Sequence, residues 1–383
     1  MINYGRQNID QSDIDAVVDT LKSSHLTQGP KVTEFEKKVS DLCNVKYAIA
    51  TNSATSALHS ACLALGLGSD DILWTTPITF VASANCAIHC GATVDFVDIN
   101  PSTFNLCPKA LAKKLKAAKR AGKLPKVVIV VHLCGEPCEM EKLHQLSITY
   151  GFKLIEDASH AVGAKYKNSQ IGSCLYSDIT VFSFHPVKII TSAEGGMAVT
   201  NDPELERKMR LVNCHGITRS PSLMAEDHEE PWYYEQISIG HNYRMSDIHA
   251  ALGSSQIEKI EEFIDARIKI AQKYDNSLGR LGIKRQETSA QNRSAFHLYV
   301  VKVPKEKRLG LYQHLREQNI ITNVHYIPVH LQPFYRNLGF KDGDFPNAEA
   351  YYSEALSLPI FPSLSVTEQD LIIKSIEHYL LSE

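Results

Sequence analysis

From Tyr47 to about residue 200 the chain alternates apolar runs too short for helices with segments of helical period. "YAIAT" precedes "SATSALHSACLALGL", and "DILWTTP" precedes "FVASANCAIHCGA". "TVDFVDI" leads into "PKALAKKLKAAKRAG", and "KVVIVVHLC" into "EMEKLHQLSITYG". "KLIED", "ITVFSF" and "GMAVT" extend the strand series. Near-continuous apolar strands are buried on both faces, so this pattern predicts an α/β fold with a mostly parallel central sheet covered by helices. In such sheets ligands collect beyond the carboxyl ends of the strands. The residues just after each run are therefore where chemistry is to be sought.

The 383 residues are too many for one small domain, and the pattern changes after the strand series. Residues 1–245 read as an N-terminal arm and a large α/β domain. It opens on an amphipathic helix around "DIDAVVDTLKSS", and "ITRSPSLMAEDHEEPWYYEQ" near its end is a surface excursion. A single long helix is expected over 246–281, connecting to a small C-terminal α+β domain over 282–383. There "AFHLYVVKV" and "TNVHY" read as strands and "KEKRLGLYQHLREQ" as a helix. "TEQDLIIKSIEHYLL" forms the last helix, with Thr367 as its cap and Asp370 three residues on.

Composition removes several functions. Net charge is −3 and no basic stripe stands out, so no nucleic-acid partner is expected. The longest apolar stretches are strand-length, which argues against a membrane span. "MINYGRQNIDQSDID" lacks a charged-then-apolar signal, giving a cytoplasmic expectation. Nine cysteines are scattered without a Cys-x-x-Cys pair; Cys86/Cys90 and Cys134/Cys138 lack a second pair at metal-site spacing. No metal is expected, only reduced thiols.

Three strand ends carry suggestive residues. "KLIEDASH" ends at Asp157, with His160 three residues later; "VFSFHPVKIITSAEGG" holds Ser183, His185 and Lys188; "TNSATSAL" is a polar turn opening a helix. Taken singly, each has a plain structural reading: a solvated lysine, a helix-capping aspartate, an ordinary N-cap. Together they suit pyridoxal phosphate, which needs a Schiff-base lysine, a carboxylate at its ring nitrogen and an anion site for its phosphate. Apolar Phe184, Val187, Ile189 and Ile190 surround Lys188 in sequence, a setting that favours a nucleophilic amine. A carboxylate in contact with the ring favours its protonated form by about 1.4–4 kcal/mol.

"NSATSAL", "TPITFVASAN", "IEDASHAVGA", "SFHPVKIITSAEGG" and "GHNYRMSDIHAALGSSQ" resemble, in order, the DegT/ArnB-like sugar-nucleotide aminotransferases, which are fold-type I pyridoxal phosphate enzymes. The C-terminal "VHYIPVHLQPFY" and "LPIFPSLS" extend the resemblance. It implies that Lys188 carries the cofactor and shuttles a proton, and that Asp157 pairs with the pyridine nitrogen. His160 would stand near the cofactor's phenolic oxygen, where most members place glutamine. Phe80 would stack on the ring, while Ala54, Thr55 and Ser183 would hold the phosphate. Asn242 would reach the phosphate of a second subunit, making a homodimer with shared active sites part of the mechanism; on its own it reads as a turn residue.

Within the family the chain is most similar to the UDP-sugar 4-transaminases of pseudaminic acid synthesis. That branch implies UDP-2-acetamido-2,6-dideoxy-β-L-arabino-hex-4-ulose as substrate and L-glutamate as donor, with the cofactor passing through its pyridoxamine form. Thr27, His185, Tyr326 and His330 are candidates for the sugar pocket, with His185 also a candidate for catalysis; "HYIPVH" equally reads as a core turn. Alternatives remain: a 4-aminotransferase for another nucleotide sugar, such as a D-configured one, a pyridoxamine-dependent dehydratase, or a non-catalytic sensor. A dehydratase of this family has histidine in place of the lysine, and Lys188 is present. A nicotinamide oxidoreductase would need Gly-x-Gly-x-x-Gly after the first strand, and "GLGSDD" breaks that pattern.

Overall fold

The computed structural model describes residues 1–226, 228 and 230–382. Helix α1 (Gln11–Lys22) starts at a reciprocal cap, in which Asp10 accepts the Asp13 N–H and Asp13 accepts the Asp10 N–H. Helix α2 (Pro30–Cys43) follows with proline in its first turn. Then come β1 (Tyr47–Thr51), α3 (Ala54–Ala64), β2 (Ile72–Thr75), α4 (Ala82–His89), β3 (Thr93–Phe96) and α5 (Pro108–Ala121). The series continues through β4 (Val127–Val131), α6 (Met140–Tyr150) and β5 (Lys153–Asp157). A small hairpin, β6 (Lys165–Tyr166) with β7 (Ser169–Gln170), precedes β8 (Ile179–Ser183) and β9 (Gly196–Thr200).

These strands form one seven-stranded sheet in the order β1-β9-β8-β5-β4-β2-β3. Its pairings are parallel except those of β9, which runs antiparallel to both β8 and β1. Side-chain alternation divides each strand between two cores. Val128, Val130, Leu154 and Phe182 enter the cluster beneath α2, α5 and α6, while Val127, Ile129, Ile155 and Val181 enter the one beneath α3 and α4. Burial on both faces is what leaves the runs continuously apolar in sequence.

After the sheet come α7 (Pro203–Asn213) and the excursion, which contains a hairpin of β10 (Ile217–Thr218) and β11 (Glu235–Gln236). The single helix expected over 246–281 is instead α8 (Asp247–Gln256) and α9 (Ile260–Leu278), separated by a 3-10 turn. At that break Gln256 Nε2 and Lys259 Nζ both reach the buried Asp13 carboxylate, each at 2.7 Å. The tightened turn brings both donors round to one acceptor.

The C-terminal elements are β12 (Lys284–Arg285), β13 (Tyr299–Lys302), α10 (Lys305–Glu317), α11 (Pro333–Arg336), α12 (Pro346–Glu354), β14 (Ala355–Leu358) and α13 (Val366–Leu381). The strands make an antiparallel sheet, and Val301, Leu311, Leu315, Leu356, Ile372 and Ile376 share a third apolar cluster with Ala271 and Tyr274 of α9. "TNVHY" is not a strand. It makes one bridge, Asn323 to Ser357, and then leaves the sheet to turn His325 and Tyr326 toward the main sheet's strand ends. The last helix begins earlier than Thr367: Ser365 accepts the Glu368 N–H and Glu368 accepts the Ser365 N–H. All nine cysteines are unpaired, and no described helix is long and apolar enough to cross a membrane.

Candidate active site

A cavity of about 500 Å³ opens at the carboxyl ends of β4, β5 and β8, where Val131, Asp157 and Ser183 line it. That volume suits a small-molecule site. Asp157 is the last residue of β5 and is 5% exposed. Its Oδ2 accepts the Ser83 hydroxyl at 2.6 Å, and its Oδ1 accepts the Ser159 N–H at 3.1 Å. These are the carboxylate's only hydrogen bonds among the described residues, and neither partner is a cation. A buried carboxylate held this way has room for a cationic or N–H partner from a ligand.

The polar turn lines the same cavity through Ser53, Ala54 and Thr55. Ser53 caps α3, its Oγ accepting the Ser56 N–H at 3.2 Å. The first helical bond is made by the Ala57 N–H to Ser53 O, so the Ala54 and Thr55 N–H groups precede it and face outward, as at other anion-binding helix starts. Gly196 is the floor of this turn. A Cβ there would lie 2.4 Å from both Ala54 N and Ser53 C, so only glycine lets the backbone approach. The Gly-Gly in "SAEGG" thus has a packing reason.

Lys188 stands at the cavity wall on the turn after β8, where its N–H bonds to His185 O at 2.9 Å. Burial pulls its amine down to about 8, against the opposing pull of the Asp157 carboxylate. Beside it His160, 4% exposed, is held well below the ordinary imidazole range by burial and then by the charges of Lys188 and His325. Burial likewise brings His325 down to about 3, and raises the Tyr326 phenol. The wall near Lys188 therefore resists any further positive charge.

Of the residues singled out from sequence, Ala54, Thr55, Phe80, Asp157, His160, Ser183, His185, Lys188 and Tyr326 all line this one cavity. Phe80 is 58% exposed, with its ring centroid 6.3 Å from that of Tyr326. Three others lie elsewhere. Asn242 is exposed and pairs with Cys214, and Thr27 is exposed and pairs with Ser246, so neither touches the cavity of its own chain. The place expected for His330 in the sugar pocket is corrected. It is fully buried, with Nε2 on Glu349 Oε1 at 3.0 Å and its ring 4.8 Å from that of Phe345, and it serves the core.

Sequence reasoning missed Ser83, Tyr4, His297 and His325. Ser83 had a signal, since it follows Phe80 by three residues at a helix start and so shares its face. Nothing local in "AFHLYV" marks His297, which is brought in by packing. The assembled set suits a flat ligand with an anionic group at the Ser53–Thr55 end, a ring N–H at Asp157 and a carbonyl carbon near the Lys188 amine.

Comparison with known proteins agrees. The profile of the DegT/DnrJ/EryC1/StrS aminotransferase family matches residues 7–377. The UDP-4-amino-4,6-dideoxy-N-acetyl-beta-L-altrosamine transaminase of Campylobacter jejuni subsp. jejuni serotype O:2 is 36% identical over 382 residues, covering 97% of this chain and 96% of its own. Helicobacter pylori PseC, an aminotransferase involved in the biosynthesis of pseudoaminic acid, is similar with a TM-score of 0.89 and 31% identity, covering 100% of each chain. Spr1654 from Streptococcus pneumoniae, in its PLP form, gives a TM-score of 0.89 and 30% identity, covering 100% of this chain and 99% of its own.

Proposed function

The chain belongs to the DegT/DnrJ/EryC1/StrS aminotransferase family, and from that premise we propose that it moves the amino group of L-glutamate to C4 of a UDP-linked 4-keto-6-deoxy-N-acetylhexosamine. The substrate is UDP-2-acetamido-2,6-dideoxy-β-L-arabino-hex-4-ulose. The product is UDP-4-amino-4,6-dideoxy-N-acetyl-β-L-altrosamine, the compound in the name of the C. jejuni relative. The enzyme is a pyridoxal phosphate-dependent sugar aminotransferase. When bound, the cofactor supplies an electron sink and a carbonyl carbon that carries nitrogen from donor to acceptor.

The observation that supports this reading most is the Lys188 amine sharing one cavity with the buried Asp157 carboxylate. Lys188 Nζ, partly neutral at pH 7, holds the cofactor and moves the proton to and from C4 of the sugar. Asp157, steadied by Ser83 and Ser159, accepts the ring N–H and keeps the pyridine protonated. The Ala54 and Thr55 N–H groups with the Ser183 hydroxyl bind the phosphate, and Phe80 covers one face of the ring. His185 and Tyr326 face the sugar. Asn242, outside its own cavity, is assigned to the phosphate of a second copy, so the working unit is a homodimer; Thr27, also outside its own cavity, stays a candidate sugar contact.

The test is turnover of a panel of UDP-4-keto sugars with L-glutamate, with the product configuration read by NMR. Conversion of the β-L-arabino ketone to the L-altro amine is expected. Turnover confined to D-configured or GDP-linked sugars moves the enzyme to another branch. No turnover, together with no spectral change on adding L-glutamate, overturns the aminotransferase assignment for this cavity.

A further inference from the structure

His160 and Tyr326 are joined by an arrangement that assigns direction to a proton. The Cys134 N–H donates to His160 Nδ1 at 3.3 Å, and His160 Nε2 lies 3.1 Å from Tyr326 Oη. A neutral imidazole whose Nδ1 accepts must carry its proton on Nε2. The ring therefore donates to Tyr326. His160 is the one hydrogen-bond partner of Tyr326 Oη among the described residues, so the phenolic O–H is left to donate elsewhere. The open direction is the cavity, which Tyr326 lines together with Lys188, Phe80 and Asp157.

Resting on the functional reading above, we propose that His160 is a positioning residue that fixes the Tyr326 hydroxyl as a hydrogen-bond donor into the cavity beside Lys188, toward an acceptor oxygen of the bound ligand. Every neighbour favours the neutral ring this requires. Lys188 and His325 face His160 and oppose a second proton on it. His297, whose ring centroid is 4.3 Å away, is itself kept neutral by burial and by these same groups. Asp157, the acid of this wall, takes its side-chain hydrogen bonds from Ser83 and Ser159 and makes none with His160. His160 thus contributes geometry, and Tyr326 contributes the proton that is offered.

Histidine-15N NMR of cofactor-free protein tests the arrangement without any turnover. His160 is expected to report a neutral Nε2–H ring that does not titrate across about pH 6–8. A titrating His160, or one protonated on Nδ1, overturns the proposal. The second arm is kinetic, on holoenzyme. Tyr326→Phe and His160→Ala should each lower kcat by about 10²-fold, within the range of a positioned proton donor. The double variant should be no worse than either single one, because both remove the same donor. His160→Gln, whose amide can accept from Cys134 and donate to Tyr326, should restore kcat to within about threefold. Full activity in Tyr326→Phe, or additive losses in the double variant, overturns it. Should the wild type turn over no sugar at all, the functional reading fails and the NMR arm alone decides the His160–Tyr326 arrangement.

Discussion

The Ser83 hydroxyl donates to Asp157 Oδ2 at 2.6 Å, tying the first turn of α4 to the tip of β5. Phe80 immediately precedes that turn, so the residue assigned to the ring face and the residue assigned to its nitrogen share one rigid junction. Ser83→Ala leaves a buried carboxylate oxygen without its donor, at about 1.5–3 kcal/mol. The variant should unfold at lower urea concentration and hold the cofactor less tightly, both read by titration of apo and holo protein.

Lys188→Ala should abolish transamination, a fall of at least about 10²–10⁴-fold for loss of the proton carrier alone. Borohydride treatment of the wild type should leave the cofactor covalently attached by mass. The variant should show no such adduct, and colourless wild-type protein that still aminated a sugar would defeat the assignment.

The depressed amine has a consequence for stability. Lys188 titrates near 8 in the folded chain against a usual 10.5. Below 8 the amine is charged in both states, and the cost of burying it is fully present. Between these values the unfolded chain holds a proton that the folded chain lacks, so stability rises with pH. Lys188→Met should therefore stabilise cofactor-free protein at pH 7 by about 1–3 kcal/mol, a gain that fades as pH approaches 10.5. Asp157→Asn removes the carboxylate that opposes the shift, and should extend this window to lower pH while its upper edge stays near 10.5. Urea unfolding across pH checks both.

Gly196→Ala pushes a methyl into Ser53 and Ala54, each with an atom 2.4 Å away. Overpacking of this kind costs about 1–3 kcal/mol, and here it falls on the phosphate turn. Cofactor affinity should drop about tenfold or more, while far-ultraviolet circular dichroism remains that of the wild type.

The sheet and the meeting of Ser53, Asp157, Ser183 and Lys188 were legible because two-sided burial writes strands as unbroken apolar runs, and strand ends converge on one edge. Distant partners were not legible. Asp13, near the N-terminus, accepts from Gln256 and Lys259 at the break in the 246–281 helix, and nothing beside Ile257 announces it. His330 looked like pocket chemistry because "HYIPVH" shows its neighbours in sequence but not Glu349, which claims its ring. Ser357 likewise takes His325 Nδ1 at 2.8 Å and helps set the wall of the cavity from the far end of the chain.

Strand β1 has a single neighbour, β9, and Thr51 pairs with Gly196. During synthesis the N-terminal strand must wait, edge bare, until nearly two hundred residues have left the ribosome. Only then does Gly196 slide beneath Ser53. The cradle for the anion is thus completed only after the carboxylate and the lysine have been made, so a ribosome-bound fragment ending before β9 would carry both of them without the floor beneath the Ser53 turn.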